Sequence, residues 1–158
     1  MNVISKTGLK DLVRKHRSTA DDLAVFAQMI LNGGSYGGAS VLSAATVKRM
    51  ITPAPVPSGD PEKPALRALG WDVSTKMSGS RGDLFPVGSF GHTGFTGTSL
   101  WIDPGNDIFV LLLTNRVNPT RENRKIGQVR IAVADAVMGA LQGCAETASL
   151  LECPAGGR

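Results

Sequence analysis

Two cysteines, two histidines, one tyrosine and a 5% aromatic content leave this 158-residue chain short of several kinds of staple. Cys144 and Cys153 both fall in a tail of small residues, Gly143 to Arg158, where a bridge would close only a short loop. Their number decides neither pairing nor compartment, and no metal or cofactor is expected. Apolar runs are short as well: none nears the ~20 residues that a bilayer crossing takes. Lys6, Lys10 and Asp11 interrupt the opening stretch, so no signal-peptide core forms and the chain as written reads as cytoplasmic. Nor is charge of one sign in large excess. The formal net charge is +4, from 17 basic and 13 acidic residues, scattered except for Lys6, Lys10, Arg14, Lys15 and Arg17. That group reads as a solvated terminus, and nucleic acid is set aside as a partner.

What is present is a 42% hydrophobic composition over a length that suits one domain, burying on the order of 70% of its unfolded surface. Ser18-Thr19-Ala20-Asp21-Asp22 is a helix start: a hydroxyl takes a free backbone N–H and the acids complement the positive end of the dipole. Leu23, Phe26, Ala27, Ile30 and Leu31 then recur at helical spacing, which predicts a helix over 19–32 ended by Asn32-Gly33-Gly34. Ser43 caps a second, short helix carrying Val47, Met50 and Ile51, stopped by Pro53. Five prolines between Thr52 and Ala65 predict an extended surface loop.

Strand patterning begins at Leu66, where Leu69, Trp71 and Val73 alternate with polar residues and predict a single strand to Ser74. Thr98–Ile102 and Ile108–Leu113 are further strands joined by the turn residues Asp103-Pro104-Gly105-Asn106, an antiparallel hairpin. Because Ile108 to Leu113 has no polar member, both faces of that strand need cover. A stripe of Ile126, Val129, Val133, Val137, Ala140 and Leu141 predicts a helix over about 122–141 to supply it. The expected class is α+β, of the α/β sandwich type, with an antiparallel sheet flanked by helices. Residues 1–17 are a basic segment, 18–142 the domain and 143–158 a flexible tail.

Between the strands lies Gly91-His92-Thr93-Gly94-Phe95-Thr96-Gly97-Thr98, whose spaced glycines suit a backbone-lined cleft. This segment resembles the K-T-G box of serine beta-lactamases, penicillin-binding proteins and related esterases, with His92 in the lysine place. The resemblance extends in order through S-T-x-D-D-L-A, L-N-G-G, L-S-x-x-T-V, G-W, H-T-G-x-T-G and L-L-T-N-R, covering Ser18 to about Leu141. It implies the C-terminal portion of the beta-lactamase/transpeptidase-like fold, nearest the class C type. It also implies roles: His92 in the proton network, Thr93 and Gly94 on the substrate, and the Phe95 N–H as an oxyanion donor. Histidine can both donate and accept near neutral pH, where lysine is a fixed cation, which turns the expectation toward ester or amide substrates besides beta-lactams.

The family's nucleophile sits in S-x-x-K, and no serine here has a lysine three residues on. The Y-x-N motif is missing too, because two glycines follow Tyr36. Lys6-Thr7-Gly8 and Arg81-Gly82-Asp83 are chance tripeptides. The resulting expectation is a serine-hydrolase fragment, inactive alone, whose nucleophile would come from a complementary N-terminal chain. A non-catalytic binding module and a non-functional gene fragment are the alternatives, and the parent family's frequent export leaves the periplasm open for the whole protein.

Overall fold

The computed structural model describes residues 18–58 and 64–148. The basic group at 6–17, Pro61 and Cys153 lie outside them. In chain order the elements are α1 (Ala20–Leu31), β1 (Ser35–Tyr36), β2 (Ala39–Ser40), α2 (Ala44–Ile51), β3 (Ala54–Val56), β4 (Ala65–Arg67) and β5 (Asp72–Ser74). A 3-10 turn (Ser78–Arg81), β6 (Phe90–Thr93), β7 (Ser99–Asp103), β8 (Ile108–Leu112) and α3 (Ile126–Ala148) follow. The class is α+β. Strands β3 to β8 form one antiparallel sheet whose spatial order equals chain order, and β1 and β2 make a separate small hairpin.

Both early helices start where their caps predict. Thr19 closes a capping box with Asp22, the Asp22 N–H donating to Thr19 Oγ1 at 3.1 Å and the Thr19 N–H to Asp22 Oδ2 at 3.0 Å. Ser43 accepts from the Thr46 N–H at 3.1 Å. Gly34, at φ 108, could carry no side chain, because a Cβ there would overlap the Leu42 carbonyl.

The pleat divides the core in two. Phe90 and Ile102 are cross-strand partners and pack with Ala27, Met29 and Ile30 of α1, Val47 of α2, Trp71 and Val73. One residue along, Trp101 and Val110 are partners and point to the other face, against Phe85 and against Ala134 and Met138 of α3. Both faces of the apolar strand β8 are thereby covered, by α1 and by α3. Trp71 also stacks on Phe26 at 6.2 Å and meets Phe90 edge-on at 5.3 Å. Among the described residues no helix is long and apolar enough to cross a membrane.

Three expectations are corrected. The proline-rich stretch contains β3, with Pro55 opposite Leu66; a proline is tolerated there because β3 is the sheet edge and needs no N–H on its open side. The single strand over 66–74 is two, broken at Leu69-Gly70, where Gly70 takes φ 80 and Leu69 turns out to solvent, 61% exposed. The long helix runs to Ala148, and its inward row is Arg130, Ala134 and Met138. Val129, Val137 and Leu141, read as the inward stripe, are exposed at 42%, 37% and 43%. The two rows differ by one residue, about 100° of rotation.

The long helix is tied to the loop that leads into β6. Asp135 Oδ1 accepts from the Asp83 and Leu84 N–H groups at 2.9 and 3.0 Å, and a Cβ on Gly82 would overlap it. Asp135→Ala is expected to cost about 1–2 kcal/mol, because two charge-assisted bonds are lost at a partly wet site. A thermal melt followed by circular dichroism checks this; an unchanged midpoint would contradict it.

Candidate functional site

His92, Thr93, Gly94 and Phe95 occupy the end of β6 and the turn into β7. The pleat sends the first two apart. His92 lies opposite Leu100 on the Phe90 face and is exposed, whereas Thr93 lies opposite buried Ser99 on the other face. The His92 imidazole makes no hydrogen bond among the described residues.

The three glycines are explained by the chain's approach to itself. A Cβ on Gly91 would overlap the Leu100 carbonyl oxygen and the Trp101 indole, one on Gly94 the Thr98 hydroxyl, and one on Gly97 the Thr114 hydroxyl. Gly97 also has φ 121. Their spacing therefore builds a narrow hairpin first; any room for a ligand is a by-product of that construction.

Each carbonyl of the turn has a donor. Arg130 Nη2, from α3, donates to the Gly94 oxygen at 2.7 Å and to the Thr98 oxygen at 2.8 Å. Arg116 Nε donates to the Phe95 oxygen at 2.8 Å, its backbone N–H to the Thr96 oxygen at 2.8 Å, and the Thr114 hydroxyl to the Gly97 oxygen at 2.9 Å. Inside the turn, the Gly94 N–H donates to the Thr98 oxygen at 2.8 Å. The five successive carbonyls from Gly94 to Thr98 are thus all occupied.

Peptide planarity converts this into a statement about donors. In a trans peptide the N–H points opposite to the preceding C=O. With the Gly94 carbonyl turned to Arg130 and the Phe95 carbonyl to Arg116, the Phe95 N–H points away from Arg130 and the Thr96 N–H away from Arg116. Neither N–H has a partner among the described residues. The peptide at 94–95 therefore presents a fixed, unpaired donor, the kind of group that stabilises negative charge on a nearby oxygen.

Arg130 is only 7% exposed and its Nε has no partner among the described residues. Burial, and next the charge of Arg116, push its pKa below the ordinary guanidinium value. Arg116 stacks over the Phe95 ring, its carbon 4.5 Å from the centroid, and its Nη1 donates to the Arg121 and Asn123 carbonyls at 3.0 and 3.2 Å. Neither arginine was assigned this job from the sequence. Arg130 lies one residue from the valine stripe expected to face inward, and its place in a row with Ala134 and Met138 at successive i+4 steps was the available signal.

The sequence of the chain is similar to those of known proteins. A family model described as Beta-lactamase matches residues 7–135. A protein of Escherichia coli O157:H7, provisionally named a D-alanyl-D-alanine carboxypeptidase, is 36% identical over 138 residues, covering 79% of this chain and 30% of its own length. One from Escherichia coli strain K12 under the same provisional name is 35% identical with the same coverage. One from Salmonella paratyphi B, so named too, is 34% identical over 111 residues, 69% of this chain and 24% of its own. The chain spans about 30% of the length of the curated relatives it matches over the longest stretch.

Proposed function

Since this chain belongs to the beta-lactamase family, we propose that it supplies the substrate strand and one oxyanion donor of a serine hydrolase acting by acyl transfer. Its substrates are ester, amide or beta-lactam carbonyls, and the relatives' name adds the peptide bond ahead of a terminal D-alanine. The observation that carries this is the Phe95 N–H, unpaired and aimed outward because Arg130 holds the Gly94 carbonyl.

In the proposed reaction a serine hydroxyl from a complementary segment adds to the substrate carbonyl while a base takes its proton. The negative charge that develops on the carbonyl oxygen is met by the Phe95 N–H. His92, open on the Phe90 face, tunes the proton network, and collapse of the intermediate expels a protonated alcohol or amine. Water then repeats the addition and releases the acid, regenerating the serine. A complementary segment is invoked because no serine here opens an S-x-x-K motif and because the relatives are longer.

The exposed apolar row of Val129, Val137 and Leu141 gives some weight to the second reading, an interaction module without catalysis. Intact-mass spectrometry separates the two. The chain is incubated with a fluorophosphonate or a fluorescent penicillin, alone and together with a co-expressed segment bearing an S-x-x-K serine. The expected result is no adduct alone and a stoichiometric adduct on the added segment in the mixture, formed more slowly with His92→Ala. An adduct on one of this chain's own serines would overturn the divided nucleophile. No adduct in the mixture would overturn acyl transfer.

A further inference from the structure

The six-stranded sheet ends in two edges, β3 and β8, and they are built differently. β3 carries Pro55, whose missing N–H denies a further strand one donor. β8, Ile108-Phe109-Val110-Leu111-Leu112, has no proline, no charge and no bulge against β7, and among the described residues β7 is its one neighbour. We propose that the β8 edge, together with the valine flank of α3 beside it, is the docking surface for a second copy of this chain, joined antiparallel about a two-fold axis. Such a dimer forms whether or not the chain takes part in acyl transfer.

The phase of the ladder fixes which backbone groups of β8 are free. Opposed residues of antiparallel strands alternate between bonded and unbonded pairs. The Gly94 N–H bonds the Thr98 oxygen, so Leu100 and Ile102 turn their backbone groups to β6 and Trp101 turns its own to β8. Val110 therefore bonds Trp101, and the N–H and C=O groups of Phe109 and Leu111 point off the sheet, with no backbone partner among the described residues. A two-fold axis through Val110 sets Phe109 opposite Leu111 of the second copy, and every one of these groups is then paired. Charge selects the antiparallel sense. Asp107 stands just before the strand and Arg116 beyond its end, and Asp107 forms no ion pair among the described residues. Antiparallel pairing brings each Asp107 toward the end that carries the other copy's arginine, whereas parallel pairing would set like charges side by side.

The flank of α3 extends this surface. On the helix Asp135 lies about 100° to one side of Ala134, and Val133, with Val129 and Val137, lies to the other side. Asp135 is held by the loop at Asp83 and Leu84, which follows the 3-10 turn packed on β5 and β6, so the valines face the β8 side. Val133 and Ile108 of β8 pack half-buried on the same cluster, and Val129 and Val137 stand exposed beside them. A two-fold axis perpendicular to the sheet keeps α3 of both copies on one face, valine flank toward valine flank. The addition matters because stable interfaces bury about 1,200–2,000 Å² in total, more than a five-residue strand supplies alone.

Sedimentation velocity of the full 158-residue chain over roughly a hundredfold range of concentration is the test. The expected result is a monomer–dimer equilibrium with no larger species, because a two-fold contact closes on itself. Leu111→Pro removes an N–H that bonds nothing within the sheet, and is expected to weaken the dimer at least about tenfold while the circular dichroism spectrum is kept. Val129→Glu combined with Val137→Glu, at exposed positions, should weaken it as much; Val87→Glu, 97% exposed and outside both elements, should leave it unchanged. Amide hydrogen exchange gives the second readout: the Phe109 and Leu111 protons should gain protection in step with the dimer. A monomer at every concentration would overturn the proposal, whether those two amides exchange freely or are covered by another part of the chain. A dimer indifferent to both sets of substitutions, or one that leaves the two amides unprotected, would overturn it as well.

Discussion

Arg130→Leu is expected to lower the melting temperature by about 6–12 °C. The substitution leaves the Gly94 and Thr98 carbonyls without the guanidinium that joins them at 2.7 and 2.8 Å. Hydrogen bonds to a charged donor contribute about 1.5–3 kcal/mol each; both carbonyls keep a backbone donor, the Gly97 N–H at 3.1 Å and the Gly94 N–H at 2.8 Å, so the loss lies at the low end for two such bonds. A loss of about 3 kcal/mol, at 2–4 °C per kcal/mol for a chain of this size, gives the stated shift. Arg130→Lys should fall between wild type and Leu, because one ammonium lacks the planar fork that spans two acceptors. Circular dichroism melts of the three proteins decide this, and a Leu variant within a degree or two of wild type would refute it. The amide signal of Phe95 should also move and broaden in the Leu variant, since the peptide plane at 94–95 loses its anchor. A merely structural arginine on the far side of α3 would leave that signal in place.

The contrast between Arg130 and its neighbours shows how much was legible in the sequence. The two early helices, their caps and the β7–β8 hairpin follow from local chemistry: a hydroxyl before acids, a serine before a short apolar stripe, a Pro-Gly-Asn turn between apolar runs. Such signals are read within a few residues of where they act. The face of α3 was not legible in that way. Two i, i+4 rows compete there, and hydropathy prefers the one made of valines over the one containing an arginine. What decides it is the set of carbonyls on a turn more than thirty residues upstream, which makes a buried cation favourable. The break at Leu69-Gly70 was hidden for a similar reason, because alternation persists through a glycine that reverses the chain direction. The candidate site was legible as a segment, His92 to Phe95, but not as an arrangement. Its glycines were read as space for a ligand, and they prove to be space for Trp101, Thr98 and Thr114.

That finding carries the second large effect. Gly91→Ala is expected to destabilise the chain by about 4 kcal/mol, at the upper end for a single added methyl, because two immovable groups meet it. One is the Leu100 carbonyl, held in the β6–β7 ladder. The other is the Trp101 indole, 1% exposed and enclosed by Phe85, Val110, Ala134 and Met138. Neither can withdraw without opening the sheet or its α3 face. Gly79→Ala is the internal control: nothing lies within 4 Å of the added Cβ, and it should change stability by less than about 0.5 kcal/mol. Urea unfolding followed by tryptophan fluorescence compares the two, with Trp71 and Trp101 both buried as reporters. Equal midpoints for the two variants would show that β6 and β7 can separate locally, and the close-packed account of the box strand would fall.

The order of the sheet has a consequence for how the chain reaches this structure. Because strands β3 to β8 are neighbours in space in the order they occur in the chain, each pairing closes only a short loop, and its entropic cost is small. The sheet can grow by adding one hairpin arm at a time, and no strand waits for a distant partner. The packing of α1 on β8 is different, for it joins the first described helix to the last strand. Folding time should therefore be governed by the long closures, that of α1 on β8 and that of α3 on the loop at Asp83 and Leu84, with the meander assembled before them.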